Sequence, residues 1–229
     1  MRVCAPRRSG VIIRCLIGVI FGHIVASMRF LTDFADQAVV LPVVLAVAIT
    51  LALQGWRRGA VVWLGVIGAT FGTMLVLKLV FLACPPVFGT MDIRSPSGHV
   101  AAATVVAGGL AALLGCRRAG ILPIAVLAAV AIGVSRLVLG LHSVPEVALG
   151  AMVGLAGATA LLTLAGPPPT LRPGRLLAVA VVVAVVFHGL HLPAEAAIRH
   201  AAFRAEHLLA VCRPVGWQPA FTGLQTGSG

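Results

Sequence analysis

The chain has 229 residues, 60% hydrophobic and 10% charged, with a formal net charge of +11 and a mean hydropathy of +1.08. No ordinary soluble domain needs that much apolar surface, and several runs approach the ~18–20 residues that cross a bilayer. An all-α, polytopic transmembrane bundle is therefore expected. The basic excess does not point to nucleic acid, because the arginines fall in short clusters between apolar runs and not along one basic face. The five cysteines are scattered without a C-x-x-C and suggest neither a disulfide framework nor a zinc site.

Residues 1–10 are basic, with Arg2, Arg7 and Arg8. The apolar run 11–28 follows. Val25-Ala26-Ser27 loosely resembles a signal-peptide cleavage site, but Arg14 and His23 spoil a signal core, so a retained first membrane helix is expected. A short polar link over 31–38, with Asp33 and Asp36, leads to a second span near 38–56, closed by Arg57-Arg58, and a third near 60–82 carrying Lys78. The loop 84–95 contains Pro85-Pro86, and a fourth span near 97–115 is rich in Ala and Gly, which lets helices approach closely. A fifth span near 120–139 ends by Ser135-Arg136, and a sixth runs near 145–164. Pro167-Pro168-Pro169 break the chain before a seventh apolar run near 176–190, and 194–212 reads as an amphipathic surface helix. Three regions result: 1–37 with the first helix, a core over 38–166, and a C-terminal region over 167–229.

The arginines at the N-terminus, Arg57-Arg58, Arg117-Arg118 and Arg172/Arg175 lie at alternate ends of successive spans. Seven spans put all of them on the cytoplasmic side under the positive-inside rule. The opposite side then receives Lys78, Arg94, Ser97, His99, Arg136, His142 and Glu146.

Arg94-Ser95-Pro96-Ser97-Gly98-His99 opens the fourth span. Ser95 suits an N-cap and Pro96 the first helical position. A helix starting there leaves the N–H groups of Ser97, Gly98 and His99 without helical partners, a setting that favours an anion. Taken alone, the stretch reads first as an ordinary helix start, since caps outnumber anion sites. Lys78 and Arg136 are, singly, cations snorkelling at span ends; together with Arg94 and the helix N-terminus they form an oxyanion clamp. His142 and Glu146 are four residues apart, so Glu146 either fixes the His142 imidazole as a nucleophile or closes a capping box with Ser143, and the two roles are compatible. His99 suits a general acid, or alternatively an interfacial histidine like the remaining five.

These blocks resemble the type 2 phosphatidic acid phosphatase and vanadium haloperoxidase superfamily, whose pattern is Lys-x6-Arg-Pro, Pro-Ser-Gly-His and Ser-Arg-x5-His-x3-Asp. Lys78 with Pro86, Pro96-Ser97-Gly98-His99, and Ser135-Arg136 with His142 stand in that order and spacing, over roughly 38–164. The resemblance implies that His142 attacks phosphorus to give a phosphohistidine and His99 protonates the leaving group, while Lys78, Arg136, Ser97 and the Gly98 amide hold the phosphoryl oxygens. It implies no metal and no cofactor. Two positions depart from the pattern. Pro85 replaces the first block's arginine, for which Arg94 is the candidate substitute, and Glu146 replaces the final aspartate.

The expected activity is that of a membrane lipid phosphatase acting on a lipid phosphate monoester or pyrophosphate, on the outer face of a bacterial inner membrane. Two alternatives stay open: a lipid phosphotransferase using the same site, and a catalytically weak lipid-phosphate-binding protein. A transporter is disfavoured, because the polar residues gather at span ends instead of the midplane.

Overall fold

The computed structural model describes residues 8–83, 93, 95–115, 118–166, 171–193, 196–198 and 200–201, with backbone alone for 8–17, 83 and 118. Seven long helices account for most of it: α1 Arg8–Asp33, α2 Gln37–Leu53, α3 Arg57–Ala83, α4 Gly98–Leu113, α5 Arg118–Val138, α6 Val144–Leu164 and α7 Pro173–Phe187. The described residues contain no strand.

Four segments are long and apolar enough to cross a membrane: Gly18–Leu53, which takes in α1 and α2, then Arg57–Leu82, Ala119–Val138 and Val144–Leu164. Gly98–Leu113 and Pro173–Phe187 are shorter apolar helices. The seven runs expected from the sequence are thus seven helices of unequal length. The first is longer than expected, and the polar link over 31–38 shrinks to a turn at 34–36, where the Ala35 and Asp36 amides donate to Thr32 and Asp33 carbonyls. Asp36 then caps α2 by accepting from the Ala38 N–H at 2.8 Å. Most of the expected amphipathic tail, and Pro85, Pro86 and Arg94, lie outside the described residues.

The core gathers Val39, Val43, Val47 and Leu51 of α2, Trp63 and Ile67 of α3, Ala102 and Val105 of α4, Leu161 of α6, and Leu176 and Ala180 of α7. The buried Trp63 indole donates to the Val44 carbonyl at 2.9 Å and ties α3 to α2. The seventh helix, for which the sequence offered no role beyond membrane attachment, therefore packs on α2 as part of the bundle.

α4 is the central element, packed against α2, α3, α5 and α6. Among the described residues, it is also the only long helix with no exposed large hydrophobic side chain. Its close approach to α6 depends on missing side chains. A Cβ at Gly150 would collide with the Ser97 carbonyl oxygen, one at Gly154 would sit 2.6 Å from Thr104 Cβ, and one at Gly157 would sit 2.8 Å from Val105 Cγ2. At Gly108 of α4, a Cβ would lie 2.7 Å from the Ala158 Cβ of α6.

Hydrogen bonds define the two ends of the bundle. At one end the Arg172 N–H donates to Gln54 Oε1 at 2.8 Å and Arg58 Nη2 reaches the Leu164 carbonyl at 3.4 Å, which gathers the basic helix ends of α2, α3, α6 and α7. At the other end the Ser97 N–H donates to the Glu146 carbonyl at 3.0 Å and His99 faces Asp36. Arg57-Arg58 and Arg172/Arg175 thus lie at the end away from the candidate site residues, as expected from the sequence, while the arginines before Arg8 and Arg117 lie outside the described residues.

Candidate active site

α5 ends at Val138 with Arg136 in its last turn. Gly140, at φ 65°, takes a backbone conformation that L side chains rarely adopt, and the Leu141 N–H folds back to the Arg136 carbonyl at 3.0 Å. The chain reverses within a few residues and presents His142 just before α6, which is N-capped by Ser143.

Glu146 organises the site. The residue is 6% exposed, and among the described residues its carboxylate oxygens accept from three donors. Oε2 takes His142 Nδ1 at 2.9 Å and the Ser143 N–H at 3.1 Å; Oε1 takes the Ser95 N–H at 2.7 Å. Its main-chain carbonyl receives the Ser97 N–H. One residue thus closes a capping box, holds the histidine, and joins the turn before α6 to the segment before α4. The capping role and the histidine-partner role coexist, although His142 lies outside the helix and not within it.

These bonds correct the expected start of the fourth span. Ser95 is not the N-cap, and Ser97 N–H is not a free anion donor, because both amides are taken by Glu146. Ser97 itself is extended, with ψ 103°, and α4 begins at Gly98 with Ser97 as its N-cap residue. The first-turn amides of α4 lack intrahelical partners and leave the positive end of the helix at Gly98 and His99. Ser97 Oγ is fully buried with no hydrogen-bond partner among the described residues.

A carboxylate oxygen only accepts, so the bond to Glu146 puts a proton on Nδ1 of His142 and leaves the Nε2 lone pair outward. Burial pushes the His142 pKa below its usual value. The Glu146 hydrogen bond opposes this, and the charges of Arg136 and Lys78 add to the lowering. Lys78, 5% exposed, lies across from Gly98, where a Cβ would be 4.0 Å from its Nζ. The side chains of His142 and Glu146 are 8% and 7% exposed.

Two cavities flank the α4 N-terminus. One, of about 380 Å³, is polar and lined by Arg29, Asp36, His99, Arg136 and His191 among others. The other, also about 380 Å³, is mostly apolar, with Phe71, Met74, Leu75 and Ile198 beside Lys78 and Gly98.

Of the residues expected from the sequence, Lys78, Ser97, Gly98, His99, Arg136, His142 and Glu146 lie at one end of the bundle; Arg94 lies outside the described residues. The sequence reading passed over Asp36, which sits 3.8 Å from His99. Its signal was faint: an aspartate before an apolar run reads as a helix cap, which it also is. Among the described residues no group of three or more His, Cys, Asp or Glu is placed to hold a metal ion.

Residues 64–167 match the family model described as the PAP2 superfamily, and over that stretch the chain resembles the type 2 phosphatidic acid phosphatases. At the level of the family this supports phosphatase-type activity on phosphate esters. No curated protein and no solved structure matches the chain.

Proposed function

We propose, with that resemblance as premise, that the protein is a membrane lipid phosphatase hydrolysing a lipid phosphate monoester or pyrophosphate through a phosphohistidine. The observation that carries the reading is His142 Nδ1 at 2.9 Å from Glu146 Oε2, both side chains buried, in the field of Lys78 and Arg136. A neutral, oriented imidazole in a cationic setting suits attack on a phosphoryl group.

In the proposed cycle Nε2 of His142 attacks phosphorus while the bond to the leaving oxygen breaks. His99 gives that oxygen a proton. Water then attacks the phosphohistidine, His99 takes a proton from it, and the P–N bond breaks to restore His142. Lys78, Arg136, the Gly98 amide and Ser97 Oγ are assigned to the phosphoryl oxygens, and Arg94 to the charge that Pro85 does not supply. This scheme uses side chains and amides alone.

A lipid substrate is supported by the apolar cavity that meets Lys78 and Gly98, since a chain bound there would present its headgroup to the α4 N-terminus. The assignment of the site to the extracytoplasmic face of a membrane, proposed as a bacterial inner membrane, is supported by Arg57, Arg58, Arg172 and Arg175 lying at the far end of the bundle.

The test is phosphate release by detergent-purified protein, with chelator present, from phosphatidic acid, phosphatidylglycerol phosphate and a polyprenyl diphosphate. Release that disappears in His142→Ala is expected. Absence of release from all three by folded wild-type protein would refute the reading.

A further inference from the structure

Asp36 lies in the turn between α1 and α2, and the cycle above gives it no role. Its two carboxylate oxygens have separate surroundings. Oδ1 accepts the Ala38 N–H at 2.8 Å and the Leu192 N–H at 3.3 Å. Oδ2 faces His99 Nε2 at 3.8 Å, an ion-pair distance, with the side chains 14% and 26% exposed.

Two amides from distant parts of the chain therefore fix the carboxylate and aim its second oxygen at the imidazole. The Leu192 amide is supplied by the chain leaving α7, which is itself docked on α1. His188 Nε2 is 3.0 Å from the Phe30 carbonyl, and its ring packs on Phe30 and Phe34 with centroids 4.5 and 4.3 Å apart. His191 Nε2 approaches Asp33 Oδ1 at 3.5 Å.

Among the described residues, the other charged or titratable groups lining the cavity with His99 are Arg29 and Asp33 of α1, Arg136 of α5 and His191; Lys78 of α3 lies behind Gly98, and His142, before α6, stands in the field of Arg136 and Lys78. Arg29, Arg136 and Lys78 oppose a positive charge on the ring, while Asp33 is engaged by His191. Asp36 is the carboxylate within ion-pair reach of it.

We propose that Asp36 is the positioning residue for His99. Its carboxylate retains the Nε2 proton and stabilises the doubly protonated ring, so that Nδ1 delivers the proton to the leaving oxygen. The inference rests on the role given to His99 under the proposed function. In the first step the P–O bond to the leaving group breaks, the P–N bond to His142 forms, and the Nδ1 proton passes to the leaving oxygen. In the second, a water proton passes to Nδ1 as its oxygen bonds to phosphorus and the P–N bond breaks. Nε2 keeps its proton facing Asp36 throughout.

Asp36→Asn removes the charge and retains an oxygen to cap α2, so the full-length variant is expected to fold. Two substrates separate positioning of an acid from general damage: an alkyl phosphate, whose leaving group needs a proton, and 4-nitrophenyl phosphate, whose leaving group does not. The expected loss is about 10- to 100-fold on the alkyl ester, as for outer-shell partners of a histidine, and about threefold or less on the aryl ester. Equal losses on both esters, or full alkyl activity in the variant while His142→Ala is inactive, would overturn the role of Asp36 and leave the phosphatase reading standing. The ¹⁵N spectrum of His99 gives a readout independent of turnover. A proton held on Nε2 in the wild type, and redistributed in Asp36→Asn, supports the inference; a neutral ring protonated on Nδ1 alone refutes it.

Discussion

Glu146→Asp replaces this residue with the one in the pattern the chain resembles, and the structure predicts that the change is harmful here. Glu146 Oε1 and Oε2 reach outward to Ser95 N at 2.7 Å and His142 Nδ1 at 2.9 Å, while its own backbone is fixed at the start of α6 and by the bond from Ser97. Removing one methylene withdraws the carboxylate by about 1.5 Å, the length of a C–C bond. Contacts of 2.7–2.9 Å would open toward 4 Å unless one loop moved, so the shorter side chain cannot serve both loops. Hydrogen bonds to a charged group are each worth about 1.5–3 kcal/mol. Losing one of the two loops should therefore lower stability by about 2 kcal/mol and, where His142 is the partner released, kcat by about 10- to 100-fold. Glu146→Gln tests the other half of the argument. An amide nitrogen turned toward Nδ1 donates where the carboxylate accepted, shifts the proton to Nε2 and blocks the attacking lone pair. A comparable tautomer error in a serine-protease triad costs about 10⁴ in kcat, and a similar loss is expected with smaller change in melting temperature. Phosphate release and thermal unfolding in the same detergent measure both quantities. A Glu146→Asp protein as stable and as active as the wild type would refute the bridging role.

Further outcomes follow from the same geometry. His142 has a lowered pKa, so the acid limb of kcat/KM should lie below the ordinary histidine value of 6.5; Lys78→Met removes one charge that depresses it and should move that limb to higher pH, alongside any loss of phosphate binding. By the same sign, the folded state binds this proton less readily than the unfolded chain, so the contribution of His142 to stability is present above pH 6.5 and lost as pH falls through its folded pKa. Ser97→Ala deletes a buried hydroxyl with no partner among the described residues, so the melting temperature should hold or rise while activity falls; a large loss of stability would contradict this. Gly150→Ala drives a methyl group into the Ser97 carbonyl and should destabilise the protein by about 1–3 kcal/mol, measured by thermal unfolding.

The hydropathy of the chain made its helices legible, because each buries or exposes a long apolar face whose period and length do not depend on its partners. The spacing of Lys78, Pro96–His99, Ser135-Arg136 and His142 made the candidate site legible in the same local way. Contacts between separate loops were not. The Ser95 and Ser97 amides find Glu146 some fifty residues away, and that pairing overrode the local preference for Ser95 as the cap. Asp36 meets His99 because α2 packs on α4, and Leu192 because α7 returns to α2. A capping signal and an ion-pair partner look alike in a sequence when one aspartate serves as both. Glu146 was the instructive case: its two local readings were evenly balanced, and the carboxylate has enough acceptor positions to satisfy both.

The helix that carries Gly98 and His99 shows no large apolar side chain to its surroundings; other helices occupy that boundary. At 16 residues it is ~24 Å long, shorter than a hydrocarbon layer of ~30 Å. Bilayers differ in thickness, and a helix in contact with lipid answers by tilting or by deforming the layer around it. α4 is insulated from that adjustment. Its depth is set by protein packing, through the glycine contacts with α6, so the outer helices can tilt to suit a thicker or thinner membrane while the residues at its N-terminus keep their register with His142 and Glu146.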